Sequence, residues 1–137
     1  CPDLSHFADF QTNRAESGEV SLFRKDSERK SNNPNRNSID WPDVPHLKLT
    51  NRLGKLIALT PPGSARLCFY DYVARRKFRL ATDVLAGHCR VSSDRLHGII
   101  LASEMSISVD AYDNSTGKVA DYISTWKQYL KGISLKP

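Results

Sequence analysis

The stretch from Tyr70 to Ala81, YDYVARRKFRLA, contains the densest group of side chains in the chain that could bind a charged partner. Two tyrosines, one phenylalanine and four cations occur within it. Guanidinium groups grip phosphate through paired hydrogen bonds, and exposed tyrosine rings stack on unpaired bases. The stretch therefore indicates a surface that follows the phosphates of a nucleic acid without reading its sequence.

Cations in neighbouring predicted elements would extend this surface. On a strand over 66–74, Tyr70 and Tyr72 would share one face, because side chains alternate along a strand. The alternative interpretation is a half-buried strand followed by a solvated basic turn, without any ligand. The predicted nucleic-acid-binding residues are Arg52, Lys55, Arg66, Tyr70, Tyr72, Arg75, Arg76, Lys77, Arg79, Arg90 and Arg95.

Residue types that could perform catalysis or hold a metal are present, but their spacing is unsuitable. His88 and Cys89 are adjacent, and neighbouring side chains on a helix point about 100° apart, which makes them poor co-ligands. Cys68 and His97 add no C-x-x-C or H-x-x-x-H spacing. No glycine-rich phosphate loop or nucleophile motif occurs. We therefore expect no catalytic residues, no metal, no cofactor and no small-molecule substrate.

The formal net charge of +5 is unevenly distributed along the 137 residues. Residues 1–45 contain six Lys and Arg against eight Asp and Glu, whereas residues 46–137 contain fourteen against seven. Ten of those fourteen cations fall between Lys48 and Arg95. A basic region of this kind favours an acidic partner, such as nucleic acid, an anionic membrane or an acidic protein surface.

Residues 11–40 are rich in Asn, Ser, Arg and Glu and show no sustained hydrophobic period. Such a segment buries too little apolar surface to offset the entropy of ordering it. The sequence therefore predicts an extended or disordered N-terminal arm over 1–45, followed by a basic globular domain over 46–137. Large apolar side chains interrupt the arm, and we expect four of them to bind neighbouring protein subunits: Phe7, Phe10, Leu22 and Phe23.

Hydrophobic spacing after residue 46 predicts an α+β fold, with a small, mainly antiparallel sheet and two helices in the order β-β-β-α-β-β-α. Two short strands would meet at Gly54, and a third would cover 66–74. A short helix would begin after Thr82. The last two strands would be RLHGIILA and EMSISVDAY, the second with Met105, Ile107, Val109 and Ala111 pointing inward.

The C-terminal part has the clearest helical pattern. Apolar residues recur there at three- and four-residue steps from Val119 to Leu130. This spacing predicts an amphipathic helix over 118–131 that ends at Gly132.

These features predict a non-catalytic, basic RNA-binding structural protein within a larger assembly, such as a viral matrix or nucleocapsid-associated protein or a ribonucleoprotein-particle subunit. The alternative is a protein- or membrane-interaction module, such as a secreted effector. Expected partners are RNA through its phosphates and neighbouring subunits through the arm, with an anionic membrane surface as a further candidate. We expect an intracellular location, cytoplasmic or within a particle. Secretion stays an alternative, because the chain begins at Cys1 and its start of translation lies outside the printed sequence.

Overall fold

A computed structural model describes residues 18–30, 38–44 and 46–137. Phe7 and Phe10, predicted to bind a partner, lie outside the described residues. The backbone forms two compact units, the first made of the described residues up to Asp40 together with 85–137 and the second of those between 41 and 84. The elements in chain order are β1 (Glu19–Leu22), a 3-10 helix (Trp41–Asp43), α1 (Leu47–Ala58), α2 (Ser64–Ala86), β2 (Arg90–Ser93), α3 (Leu96–Glu104), β3 (Ser108–Tyr112), α4 (Lys118–Trp126), a second 3-10 helix (Lys127–Tyr129) and β4 (Ile133–Lys136).

The first unit contains a four-stranded, all-parallel sheet in the order β1-β2-β3-β4. Helices α3 and α4 connect β2 to β3 and β3 to β4, since parallel neighbours need crossover connections. The prediction of a mainly antiparallel sheet with two helices is therefore wrong: the described residues form four α-helices, and every strand pair is parallel.

One face of this sheet carries the hydrophobic core of the first unit. Val20, Val91 and Val109 lie side by side in register, and all three are buried. Helix α3 adds Ile99 and Ile100, which are almost fully buried. Met105, Ile107, Val109 and Ala111 are all buried, as the alternation in EMSISVDAY predicted.

The opposite face of the sheet carries polar pairs. Ser92 Oγ donates to Glu19 Oε1 at 2.7 Å, and Arg90 Nη1 lies 3.1 Å from Asp110 Oδ2. Lys136 Nζ reaches the other Asp110 oxygen at 3.2 Å. Side chains alternate between faces, so the same short strands supply a core on one side and ion pairs on the other.

The second unit is a helical hairpin of α1 and α2, joined by a turn that contains Pro61, Pro62 and Gly63. Gly54 of α1 lies opposite the buried Val73 of α2: a Cβ added at Gly54 would be 3.6 Å from Val73 Cγ1. Arg66 Nη1 donates to the carbonyl of Thr60 at 3.0 Å and so ties the first turn of α2 to the connection.

Helix α1 replaces the two strands predicted around Gly54, and α2 replaces the strand predicted over 66–74 together with the short helix after Thr82. The leucines of α1 alternate only over Leu47 and Leu49, and Leu49, Leu53 and Leu56 follow the helical spacing. The basic run of α2, interpreted as a turn, is flanked by Ala74, Leu80 and Ala81, and apart from Phe78 it contains only Arg and Lys, all of which are strong helix formers. Arg75 Nε bonds Asp71 Oδ2 at 2.7 Å, a pair that exists only on a helix, where residues four apart are neighbours.

The segment RLHGIILA forms α3 instead of a strand. Residues 98–103 are buried without a break, and Ser103 is the one polar residue among them. Periodicity cannot separate a buried strand from a buried helix, which explains this error. At the C-terminal end the predicted helix is present as α4, and the following residues adopt a 3-10 turn before β4.

Replacing Phe23 with Ala should lower the free energy of unfolding by about 3–5 kcal/mol, because Phe23 is fully buried and packs edge-on against Tyr112 with ring centroids 5.3 Å apart. Phe69→Ala is the matched control: that ring is exposed, so the cost should stay within about 0.5 kcal/mol. Urea denaturation measures both. Equal values for the two variants would contradict the placement of Phe23 in the core.

Candidate ligand site at the carboxyl ends of the strands

Charged residues follow directly after β1 and β2, at the edge where parallel strands all end. The loop after β1 contains Arg24 and Asp26, and β2 is followed by Asp94 and Arg95. Asp40 reaches the same edge because Ile39 forms a parallel bridge with Leu22, outside β1. We call this group the carboxyl-edge cluster: Arg24, Asp26, Asp40, Asp94 and Arg95.

Arg95 is held by a two-point ion pair with Asp40. Its Nε lies 2.9 Å from Asp40 Oδ1 and its Nη2 lies 2.5 Å from Asp40 Oδ2. Both side chains are largely removed from solvent, and Asp40 Oδ2 also accepts the backbone N–H of Lys25 at 3.1 Å. A bidentate pair fixes the plane of the guanidinium as well as its position.

Asp94 is fully buried beside the two arginines of the cluster. Its Oδ1 accepts the backbone N–H of Arg24 at 2.9 Å. Burial raises the pKa of the Asp94 carboxyl above its ordinary value, although the hydrogen bond and the charges of Arg95 and Arg24 oppose the shift. The environment therefore favours a proton on Asp94 more than water does.

Asp26 has the opposite environment. The hydrogen bond from Arg24 holds the pKa of the Asp26 carboxyl below its ordinary value. Arg24 also pairs with Glu28, and Arg95 Nη2 lies 3.6 Å from Asp26 Oδ2. One arginine from each of two loops thus meets the same carboxylate.

The loop after β3 is hydrogen-bonded to the loop after β1, and its side chains cap the start of α4. Ser115 donates its N–H to the carbonyl of Glu28 at 3.1 Å, which links the loops after β1 and β3. Asn114 Oδ1 accepts N–H groups of Thr116 and Lys118, and Asp113 Oδ1 accepts that of Ala120 at 3.2 Å. These side chains cap the amino end of α4, so Lys118 begins that helix at a fixed place.

His97 is the exposed imidazole of this edge. It lies in the first turn of α3, two residues after Arg95, and helix α3 starts directly from the end of β2. Ser93 Oγ accepts the N–H of Arg95 at 3.0 Å and donates to the carbonyl of Leu22 at 2.8 Å, which joins the start of α3 to β1. The position of His97 is therefore set by two strands.

The eleven residues predicted to bind nucleic acid fall into separate places. Nine lie on the hairpin, with Arg52 and Lys55 on α1 and the others on α2. Tyr70 and Tyr72 do not share a face, because residues two apart on a helix point about 160° from each other. Arg90 belongs to the polar face of the sheet, and Arg95 belongs to the carboxyl-edge cluster.

The remaining predicted residues have simple positions. Leu22 and Phe23, expected to bind a partner, are fully buried in the first unit. Cys68 is exposed on α2, and Cys89 lies before β2 with its Sγ 3.2 Å from the carbonyl of Gly18. Within the described ranges, no three His, Cys, Asp or Glu side chains come together in a way that could hold a metal ion.

The chain matches no protein-family model, and neither a curated protein nor a solved structure shows significant similarity to it. Among the helices of the described residues, none is both long and apolar enough to cross a membrane.

Sequence reasoning missed Asp40, Asp94 and His97 as site residues. A signal was present: Asp94 and Arg95 stand between the short strand around Val91 and the apolar segment that begins at Gly98. Had that segment been recognised as a helix, the strand–polar turn–helix order would have indicated the carboxyl end of a parallel strand.

The pH dependence of stability tests the environment of Asp94. Because the folded protein disfavours the charged form, the contribution of Asp94 to the free energy of unfolding should fall as pH rises through its raised pKa, above the ordinary 3.8. Asp94→Asn removes this titration, so wild type should lose stability relative to the variant as the pH rises above the ordinary pKa of 3.8. Urea unfolding at a series of pH values measures the difference.

Asp26→Asn supplies the control of opposite sign. The lowered pKa of Asp26 means that its stabilisation is present above 3.8 and is lost as pH falls below that value. A flat difference between wild type and Asp94→Asn across the same range would contradict the buried carboxyl.

Proposed function

We propose that the first unit binds a small anionic molecule, one that carries a phosphate or carboxylate group, over the carboxyl ends of β1, β2 and β3, and that it does so as part of an enzyme. One observation carries the proposal: the charged loops after three adjacent parallel strands are linked to one another. In open parallel sheets, ligands bind outside the carboxyl ends of the strands.

Three features of this edge support an anion as the ligand. Arg24 and Arg95 lie in the cluster, and Lys118 begins α4. Helices α3 and α4 both have their amino ends at this edge, where the helix dipole favours negative charge. The pair with Asp40 uses Nε and Nη2 of Arg95, and among the described residues no partner lies within hydrogen-bond distance of its Nη1.

His97 supports a catalytic role for the site. Imidazole is the side chain that most often serves as a general acid or base in enzymes, and this one is exposed in the first turn of α3. A ligand anion held at the amino end of α3 would lie within reach of the imidazole. The sequence pattern predicted a non-catalytic protein because it contains no catalytic motif.

RNA binding by the basic hairpin stays a prediction. A shallow depression lined by Tyr72, Arg75, Arg76 and Arg79 supports it, because these are the groups that contact phosphate and stack on bases. The helical geometry removes the shared face of Tyr70 and Tyr72 on which the prediction depended. The carboxyl-edge cluster therefore carries the proposed function.

Calorimetric titration of the full chain with inorganic phosphate, pyrophosphate, nucleoside diphosphates and phosphorylated sugars tests the site. At least one of these anions should bind, and Lys118→Ala should weaken the binding roughly tenfold or more, because a charge-assisted hydrogen bond is lost. His97→Ala should weaken it as well. Both side chains are exposed, so neither variant should change the unfolding midpoint.

Arg90→Gln is the matched control. Arg90 is a cation at the amino end of β2, paired with Asp110 on the polar face, and its loss should leave the affinity unchanged. If Arg90→Gln and Lys118→Ala weaken binding equally, the affinity depends on the net charge of the protein and not on the position of the cation. The site assignment would then fail. Absence of binding by every anion in the series would have the same consequence.

A further inference from the structure

Helix α1 exposes the apolar stripe that a helix of a globular protein normally buries. Leu49, Leu53 and Leu56 follow the i, i+4, i+7 spacing and are 57%, 39% and 62% exposed. Leu59, directly after the helix, is 83% exposed. Thr50, on another side of α1, is buried. We call these four residues the leucine stripe: Leu49, Leu53, Leu56 and Leu59.

Helix α2 adds large apolar side chains to the exposed surface of the hairpin. Leu67 and Phe69 are 70% and 58% exposed, and Phe78 and Tyr72 are also exposed. The buried side of α2 is marked by Val73, which faces Gly54 of α1. Both helices therefore bury a narrow strip against each other and leave most of their apolar residues in contact with solvent.

The hairpin also carries the entire excess charge of the chain. Residues 41–84 contain eight Lys and Arg against three Asp, which is a net charge of +5, and the other residues contain twelve against twelve. Several of these cations border the apolar residues: Arg52 lies about 40° from Leu56 around α1, and Arg75, Arg76 and Arg79 are exposed along α2. An exposed apolar stripe bordered by cations is the pattern of a helix that lies in a membrane interface.

Three possible partners differ in how well they would cover the leucine stripe and neutralise the cations around it. A second copy would bring two hairpins of the same +5 charge together, which disfavours a dimer. Single-stranded RNA would pair with the cations and leave the leucine stripe in water. An anionic bilayer meets both requirements, because its phosphates attract the cations and its acyl boundary accepts the leucines.

We propose that the α1–α2 hairpin is a peripheral membrane-binding element, which lies in the headgroup region of an anionic bilayer with the leucine stripe inserted toward the acyl chains. The hairpin lies on the membrane and does not cross it, in agreement with the lengths and compositions of the described helices. This assignment is independent of the proposed ligand site, since it uses only residues between 41 and 84.

Vesicle co-sedimentation of the full chain tests the proposal. Wild type should sediment with vesicles of phosphatidylcholine containing about one third phosphatidylglycerol, and only weakly with pure phosphatidylcholine. The combined Leu49→Ser, Leu53→Ser and Leu56→Ser variant should lose at least about a hundredfold in vesicle affinity, because it removes three leucines that would insert into the bilayer. Leu135→Ser is the matched control, an exposed leucine on β4 whose loss should leave binding unchanged.

A second variant tests the electrostatic half of the surface. Combining Arg75→Gln, Arg76→Gln and Arg79→Gln should weaken binding to the anionic vesicles roughly a hundredfold, at about fivefold for each cation near the surface. Circular dichroism should show unchanged helicity in both triple variants, because all six side chains are exposed. If a variant fails to fold, added sodium chloride should still weaken the binding of wild type.

Two other outcomes would overturn the proposal. One is absence of vesicle binding together with single-stranded RNA binding that requires the three arginines and survives the leucine substitutions. The other is absence of vesicle binding together with a wild-type dimer that the leucine substitutions convert to monomer in analytical ultracentrifugation. Neither result would bear on anion binding at the carboxyl-edge cluster, so the two proposals stand or fail separately.

Discussion

Two parallel strands cannot be joined by a tight turn, so the chain must cross over before the next parallel strand begins. Because the connections from β2 to β3 and from β3 to β4 are such crossovers, and β1 is parallel to β2, the carboxyl ends of all four strands lie at one edge. The same crossovers place the amino ends of α3 and α4 at that edge. Residues that are some seventy positions apart in sequence, such as Arg24 and Asp94, become hydrogen-bonded neighbours for this reason.

The charges at this edge have an energetic consequence. Removing a carboxylate and a guanidinium from water is costly, and a pair such as Arg95 and Asp40 recovers that cost only through good geometry. Burial raises the pKa of Asp94 even beside two arginines, so removing this carboxylate from water also costs free energy. Apolar side chains of similar size would fill the same space at lower cost. Placement of charged groups for a ligand explains their presence better than stability does, and this supports the proposed site.

Part of the fold was accessible from the sequence. The alternation in EMSISVDAY predicted β3 from Ser108 onward, with Val109 and Ala111 inward, whereas Glu104 ends α3 and Met105 and Ile107 are buried ahead of the strand. The spacing from Val119 predicted α4. Both elements have one exposed and one buried face. The buried helix α3 has no such contrast, so its period was hidden. Strand β1 lies inside the predicted arm because a four-residue strand in a polar context gives almost no pattern, and its long-range pairing with β2 supplies its stability.

The candidate site was accessible only in part. Arg95 was chosen from the sequence for its charge, and its partner Asp40 was not, because 55 residues separate them and only the sheet brings them together. The direction of the strands decides which residues meet, and composition carries no information on strand direction. An antiparallel arrangement would have distributed Arg24, Arg95 and Lys118 over both ends of the sheet, and no single edge would have collected them.

The two units differ in how their charges can act on a partner. On the hairpin the cations outnumber the anions, so its field extends over about a Debye length and depends on salt. The remaining residues contain equal numbers of each sign, and the cluster pairs most of its charges internally, so its field cancels within a few ångströms. The basic hairpin can therefore attract any extended anionic partner, without distinguishing one from another. The carboxyl-edge cluster attracts a ligand only weakly over distance and selects it by the geometry of its charged groups. Recognition of a small molecule requires this behaviour.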